Sequence, residues 1–209
     1  MSDLLYEVTD HVGVITLNRP DAMNSLTYQL YADLEDTVRT SEARVLVITG
    51  SGRAFCAGDD MKQILGSSEP APAQFRDRAK KTGGLTPAAD ALLHTDIPVI
   101  AAINGPAVGW GMELALMADI RVASELAKFG ELFVLRGLCC DAPGLCRLAQ
   151  LVGRETAAEL LFTGDVIDAH QAKTLGLVGR TVPHEALLPT AMEIAHKIAR
   201  NPPLAVQAL

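Results

Sequence analysis

The sequence predicts an α/β fold built on a mostly parallel sheet. Two continuous apolar runs, RVLVIT at 44–49 and PVIAAI at 98–103, have the length of strands buried on both faces. Both runs end in glycine-containing turns. Stretches with apolar residues at helical spacing alternate with them, as strand–helix–strand crossovers require.

The elements follow in order. Residues 12–17 read as a short strand, broken by Asn18-Arg19-Pro20. A helix is expected over 27–39, with Leu30, Leu34 and Val38 on one face and Ser25 or Thr27 as its cap. The strand at 44–49 ends at Gly50-Ser51-Gly52. Residues 66–86 are rich in Ser, Pro, Gly and charge and read as a loop with a helical piece. The strand at 98–103 ends at Asn104-Gly105-Pro106, and a helix over 109–117 and a short strand at 120–123 follow. Beyond Asp141 the pattern is mostly helical: 144–151, 155–162 and 169–175, then a short strand at 177–182 and a long helix over 184–200. Residues 201–206 read as a helix start that stops at Leu209, so a further helix is expected. No internal repeat stands out.

Composition narrows the function classes. With 209 residues, 49% hydrophobic and 21% charged, the chain has the make-up of a folded domain rather than a disordered one. A formal net charge of −7 offers no electrostatic footprint for nucleic acid. Cys56, Cys139, Cys140 and Cys146 form no C-x-x-C pair, and the histidines show no H-E-x-x-H spacing, so neither a metal site nor a disulfide framework is expected. The start, MSDLLYEVTD, lacks the basic and apolar regions of a signal peptide. The most apolar long stretch, 97–120, carries Asn104, Pro106, Glu113 and Asp119, which a lipid-spanning helix rarely tolerates. These features point to a soluble, cytoplasmic protein in a reducing compartment, without membrane or nucleic-acid partners.

Two turns after buried strands could hold chemistry. They are GRAFCAGDD at 52–60 and AINGPAVGWGME at 102–113. Gly58, Gly109 and Gly111 permit close backbone approach, and helix starts there would aim N–H groups into a cleft. Each alone reads as an ordinary strand-to-helix turn. The G-x-G-x-x-G, G-x-x-x-x-G-K-[ST] and G-x-S-x-G patterns are all missing.

Together the turns resemble a known pattern. AFCAGDD at 54–60 resembles the first oxyanion-hole motif of the enoyl-CoA hydratase/isomerase (crotonase) family, and the stretch 100–121 resembles the second, with its acidic residue. Asn18-Arg19-Pro20, Met23-Asn24-Ser25-Leu26, Leu161-Phe162-Thr163-Gly164, Ala172 and Gly176-Leu177-Val178 extend the resemblance over 8–206. The resemblance implies a spiral of strand–strand–helix turns. Residues 1–141 would form the spiral core with the acyl-CoA site, and 142–209 a helical region for trimerisation. It implies a homotrimer or hexamer, an acyl-CoA thioester substrate, and no cofactor beyond the coenzyme A that the substrate carries.

The resemblance also assigns residues. The backbone N–H groups of Asp59 and Trp110 would point at the thioester oxygen, although the family often has glycine at the position of Trp110. Ala22, Met23, Asn24, Leu26, Ala57, Asp60, Met61, Lys62, Gly109 and Phe133 would line the substrate path, with Lys62 either at a CoA phosphate or simply solvated. Glu113 sits where hydratases place their first catalytic glutamate; the bland alternative is a solvated helix residue. The second hydratase glutamate, twenty residues on, is replaced by Phe133. Asp141 falls where dienoyl-CoA isomerases and 4-chlorobenzoyl-CoA dehalogenases place an aspartate, or it caps the helix before Ala142-Pro143. Glu131, two residues before Phe133, would share its face in a strand. Cys139 and Cys140 read as packing residues.

The leading expectation is an enoyl-CoA hydratase of fatty-acid metabolism. An enoyl-CoA or dienoyl-CoA isomerase is the first alternative, because isomerisation adds no water and fits the loss of the second glutamate. A catalytically reduced acyl-CoA-binding or RNA-associated relative is the second. The Clp-type serine proteases share the spiral, but their Ser-His-Asp set cannot be placed here.

Overall fold

The computed structural model describes residues 2–66, 68–140 and 144–209. It opens with β1 (Leu4–Thr9) and β2 (Val12–Leu17), an antiparallel hairpin. Asp10 and His11 at its tip both take positive φ, as a tight two-residue hairpin turn requires. β1 has no counterpart among the expected strands. Helix α1 (Tyr28–Thr40) follows, and the Thr27 hydroxyl accepts from the Leu30 N–H at 3.1 Å, which settles the cap on Thr27.

The next elements are β3 (Val45–Gly50), α2 (Ala73–Lys81), α3 (Pro87–His94) and β4 (Val99–Ile103). Then come β5 (Pro106–Val108), α4 (Trp110–Met117), β6 (Ile120–Ser124) and β7 (Lys128–Gly130). The described chain continues with α5 (Gly144–Val152), α6 (Arg154–Thr163), β8 (Ile167–Asp168) and α7 (Ala169–Thr174). It closes with β9 (Arg180–Val182), α8 (Leu187–Ala199) and α9 (Pro203–Gln207). Three elements differ from expectation. The strand read over 177–182 shrinks to β9, because residues 175–178 fold back on α7: Gly176 has φ +82° and the Leu177 N–H donates to Ala172 at 2.9 Å. The long helix starts with a 3-10 turn at His184–Ala186 before α8 begins. The irregular stretch 66–86 contains α2, and α3 after it was not foreseen.

The main sheet has the order β1-β2-β3-β4-β6-β9 and is parallel from β2 onward. A small second sheet joins β5, β7 and β8. Alternation along β3 explains why its run is apolar throughout. Val45 and Val47 join Val12, Ile100, Ala102 and Val122 beneath Leu187, Ala191, Ala195 and Ala199 of α8. Leu46 and Ile48 face the other way, into the core shared with α1, α3 and α4. Helix α8 and strand β9, both in the region 142–209, therefore pack on and extend a sheet whose other five strands come from residues before 141. Among the described residues no helix is long and apolar enough to cross a membrane.

Two asparagines fix the turn after β3. Asn24 is fully buried with φ +57°; its Oδ1 accepts from the Arg19 N–H at 2.8 Å, and its Nδ2 donates to Ser51 and Ala54 carbonyls at 2.9 and 2.8 Å. Asn104 accepts from the Gly50 N–H at 3.1 Å and donates to Gly52 and Ala54 at 3.0 and 3.1 Å. Replacing Asn24 by alanine strands buried backbone groups, each costing about 1–3 kcal/mol. Asn24→Ala is expected to lower the urea midpoint clearly, with α-helical circular dichroism retained before the transition.

Candidate active site

The two glycine turns are pressed together by backbone hydrogen bonds. The N–H groups of Phe55 and Cys56 donate to Pro106 at 3.0 and 3.1 Å, and the Val108 N–H returns to Cys56 at 3.1 Å. Cys56 and Ala107 form an isolated parallel bridge, as do Leu26 and Asp59. Gly58, at φ +83°, abuts the start of α4: a Cβ there would sit 3.0 Å from the Val108 carbonyl and 3.2 Å from the Trp110 nitrogen. This places the peptide that carries the Asp59 N–H beside the Trp110 N–H. Trp110 opens α4, so the helix has no carbonyl of its own for that N–H.

These residues border a cavity of about 180 Å³, lined by Ala57, Gly58, Asp59, Met61, Gly109 and Trp110 on one side. Leu132, Phe133, Leu135, Arg136 and Leu138 complete it. The Trp110 indole is 1% exposed and meets Tyr31 edge-on, with ring centroids 4.7 Å apart. The Tyr31 hydroxyl donates to Asp59 Oδ1 at 2.7 Å, tying the Asp59 side chain to α1. The Trp110 side chain therefore packs in the core, and its nitrogen, at the start of α4, lies beside Gly58.

Glu113 lies one turn into α4, whose eight residues are all buried. It is 0% exposed, which rejects the solvated-helix reading. The structure sets a second carboxylate against it. β5 pairs with β7 in parallel, Val108 opposite Gly130, and the Gly109 N–H donates to Gly130 at 2.9 Å. Glu131 thus leaves β7 directly beside the start of α4. It is 1% exposed, and neither carboxylate oxygen has a hydrogen-bond partner among the described residues. Burial, and next the charge of Glu113, push the Glu131 carboxyl far above the usual carboxylate range.

Glu131 and Phe133 both line one cavity, as expected, but not through a strand. Residues Leu132–Arg136 make a 3-10 turn, so the period-two argument fails. Glu131 faces a second cavity of about 190 Å³, with Val134, Cys139, Cys140, Leu161 and Phe162. Phe133 and Leu138 line both cavities and separate them. Burial, with the charges of Glu113 and Glu131, drives the Cys140 thiol up to about 12, and burial drives Cys56 to about 12. Neither sulfur is a thiolate at neutral pH.

The other sequence candidates scatter. Ala57, Asp59, Met61, Gly109, Trp110 and Phe133 border the first cavity. Asn24 and Leu26 are fully buried and line neither cavity; Asn24 holds backbone, and Leu26 belongs to the core. Ala22 and Met23 lie half-buried in the preceding turn, where the Met23 carbonyl accepts from the Ala57 N–H at 3.0 Å. Asp60 caps the turn Met61–Leu65, accepting from the Lys62 and Gln63 N–H groups at 3.0 and 3.1 Å, and pairs with Arg19 at 3.1 Å. Burial raises the affinity of Asp60 for a proton, but the Gln63 and Lys62 amides and Arg19 outweigh it, so Asp60 stays below its ordinary range. Lys62 is exposed and does not line the cavity. Asp141 lies outside the described residues. Among the described residues, no three His, Cys, Asp or Glu side chains gather as a metal site would need.

Comparison with known proteins matches the chain to a family. The model for enoyl-CoA hydratase/isomerase matches residues 7–209. The (E)-benzylidenesuccinyl-CoA hydratase of Thauera aromatica is 41% identical, over 97% of this chain and 78% of its own. The 2,3-dehydroadipyl-CoA hydratase of Escherichia coli is 37% identical, over 100% and 80%. The crystal structure of an enoyl-CoA hydratase from Bacillus anthracis superposes with a TM-score of 0.88 at 38% identity, covering 99% of this chain and 80% of that one. Such neighbours bear out the crotonase-like spiral expected from the two motifs. With both turns in place and the match spanning almost every residue, the chain belongs to the enoyl-CoA hydratase/isomerase family.

Proposed function

We propose that the chain is an enoyl-CoA hydratase of fatty-acid metabolism, working in the cytoplasm. The observation that carries this reading is the meeting of Gly58 with the Trp110 nitrogen, one helical turn from the buried Glu113. The thioester oxygen takes the N–H groups of Asp59 and Trp110 as an oxyanion hole. Attack at Cβ of a 2-enoyl thioester moves negative charge onto that oxygen, and fixed donors in a dry site stabilise it without reorganising. Glu113 is the carboxylate that takes a proton from water as the water oxygen bonds to Cβ, and it returns that proton to Cα as the enolate collapses. Coenzyme A enters as part of the substrate, with its chain passing Met61 and Lys62.

A second reading is supported by Phe133. A ring stands where hydratases carry their second glutamate, and it lines the cavity beside Trp110. An isomerase needs no water: one carboxylate removes a proton at one carbon and returns it at another. Purified protein assayed side by side on crotonyl-CoA, a 3-enoyl-CoA and a dienoyl-CoA separates the two. Turnover of crotonyl-CoA supports hydration, and turnover of the other substrates alone supports isomerisation.

Assembly into a trimer or hexamer is part of this proposal. Leu135, Phe162 and Val166 are exposed, Phe162 at 78%, and Leu135 lies against Gly164, so these apolar groups sit close together. Sedimentation at micromolar concentration should give three or six chains; a monomer refutes this part.

Two variants test the chemistry. Glu113→Gln should lower turnover by roughly 10²–10⁴-fold on the accepted substrate, and full activity would remove Glu113 from the mechanism. Gly58→Ala should push the two turns apart at the Trp110 nitrogen. The loss of one donor typically costs roughly 10²–10³-fold in turnover, measured as kcat with the fold checked by circular dichroism.

A further inference from the structure

We propose that Glu131 is a proton-holding partner of Glu113, the two buried carboxyl groups sharing one proton at neutral pH. This rests on the proposed function, in which Glu113 moves the proton. Three observations carry it. Glu131 follows β7 at the point where Gly130 accepts from the Gly109 N–H, so its side chain starts next to the helix that bears Glu113. Both carboxyl oxygens of Glu131 lie buried without a hydrogen-bond partner among the described residues, an arrangement that an ionised carboxylate does not sustain. Among the described residues that line the Glu131 cavity there is no Lys, Arg or His: α6 presents Leu161 and Phe162, and the segment before residue 141 presents Cys139 and Cys140. Glu113, from α4, is the charged group whose field acts on Glu131.

Glu131 is a positioning residue. Phe133 and Leu138 stand between its cavity and the one bordered by Asp59 and Trp110. Its effect passes through Glu113. With Glu131 neutral, Glu113 carries the single negative charge and acts as base. Once Glu113 has taken a proton and delivered it to substrate, the pair returns to one proton on two carboxyls. The net charge of the pair, −1, is the same before and after the step. This supplies the second carboxyl function that Phe133 cannot.

The test has two arms, both on the full chain. In the first, kcat is measured against pH for wild type and Glu131→Gln on the substrate that wild type accepts. The pair predicts a bell-shaped profile for wild type, and Gln, which cannot ionise, removes the alkaline limb. A drop in kcat with the alkaline limb intact indicates a structural role and overturns the proposal, as does an unchanged profile.

The second arm needs no substrate. A carboxyl whose affinity for protons is higher in the folded state stabilises that state fully below its unfolded pKa. That stabilisation is lost as pH rises through the folded value, so the window runs from about 4.5 to about 9. The urea midpoint of wild type should fall across this window by more than that of Glu131→Gln. Equal falls overturn the proposal. If Gln impairs folding, Glu131→Met provides the same comparison with a non-titrating side chain of similar size. Wild-type inactivity on all three acyl-CoA thioesters would instead overturn the function, while the stability arm still decides the pair.

Discussion

The constraint on which the site depends is backbone touching backbone between residues 53–58 and 105–111. A Cβ at Gly105 would fall on the Arg53 carbonyl, and one at Gly111 on the Cys56 carbonyl. Glycine is the only residue that allows both approaches, and the cost in chain entropy is set by that need. Hydrogen bonds from Phe55, Cys56 and Val108 then lock the two segments in register. Everything chemical follows from this seam. It orients α4, sets the Trp110 nitrogen against Gly58, and fixes where Glu113 emerges one turn later. Asn24 and Asn104 act on the same seam from below, by holding the carbonyls of the 50–54 turn.

The parts of this arrangement that the sequence reveals are those coded by long patterns. β3 and β4 are apolar at every position because Val45 and Val47 face α8 while Leu46 and Ile48 face the opposite core. Runs of that kind can be read without tertiary knowledge. Thr27 is legible as a cap, and the paired glycine motifs are legible as a cleft. The strands that place Glu131 are not. β5 and β7 have three residues each and β8 has two, too few for any periodicity to show. Glu131 then sits before a 3-10 turn that no residue in 132–136 announces. Its partner is eighteen positions away across a pairing visible only in three dimensions. Asn24 shows the converse problem: a polar residue beside a binding motif reads as a ligand contact, yet its positive φ and three hydrogen bonds make it a clamp.

Two carboxyl groups buried close to one another are a poor choice for stability. Each, if ionised, would lose its hydration, and in a site of low dielectric the two charges would repel strongly. A well-packed apolar pair would serve the fold better. The two cysteines nearby sharpen the contrast. Cys56 and Cys140 are kept neutral by burial, so sulfur behaves there as an apolar filler. Local conflict of this kind, inside a core that is otherwise consistent at every level, is characteristic of a functional site.

The Phe133 ring gives this conflict a direction. A hydratase must admit one water to Cβ and exclude the rest, because bulk water would solvate the carboxyls and weaken the field from the amides. A second glutamate at position 133 would hold that water by hydrogen bonding. Phenylalanine cannot hold it, but it separates the cavity of the amides from the cavity of Glu131, and Leu138 completes the partition. The proton-holding carboxyl is thereby moved behind an apolar wall, next to Glu113 and away from solvent. The wall raises the cost of ionising Glu131, which keeps it an acid, and that in turn leaves Glu113 free to be the base. On the proposed reading, a phenylalanine at 133 and a buried glutamate at 131 leave the reacting face with one carboxyl, Glu113, and place the proton-holding one behind the wall.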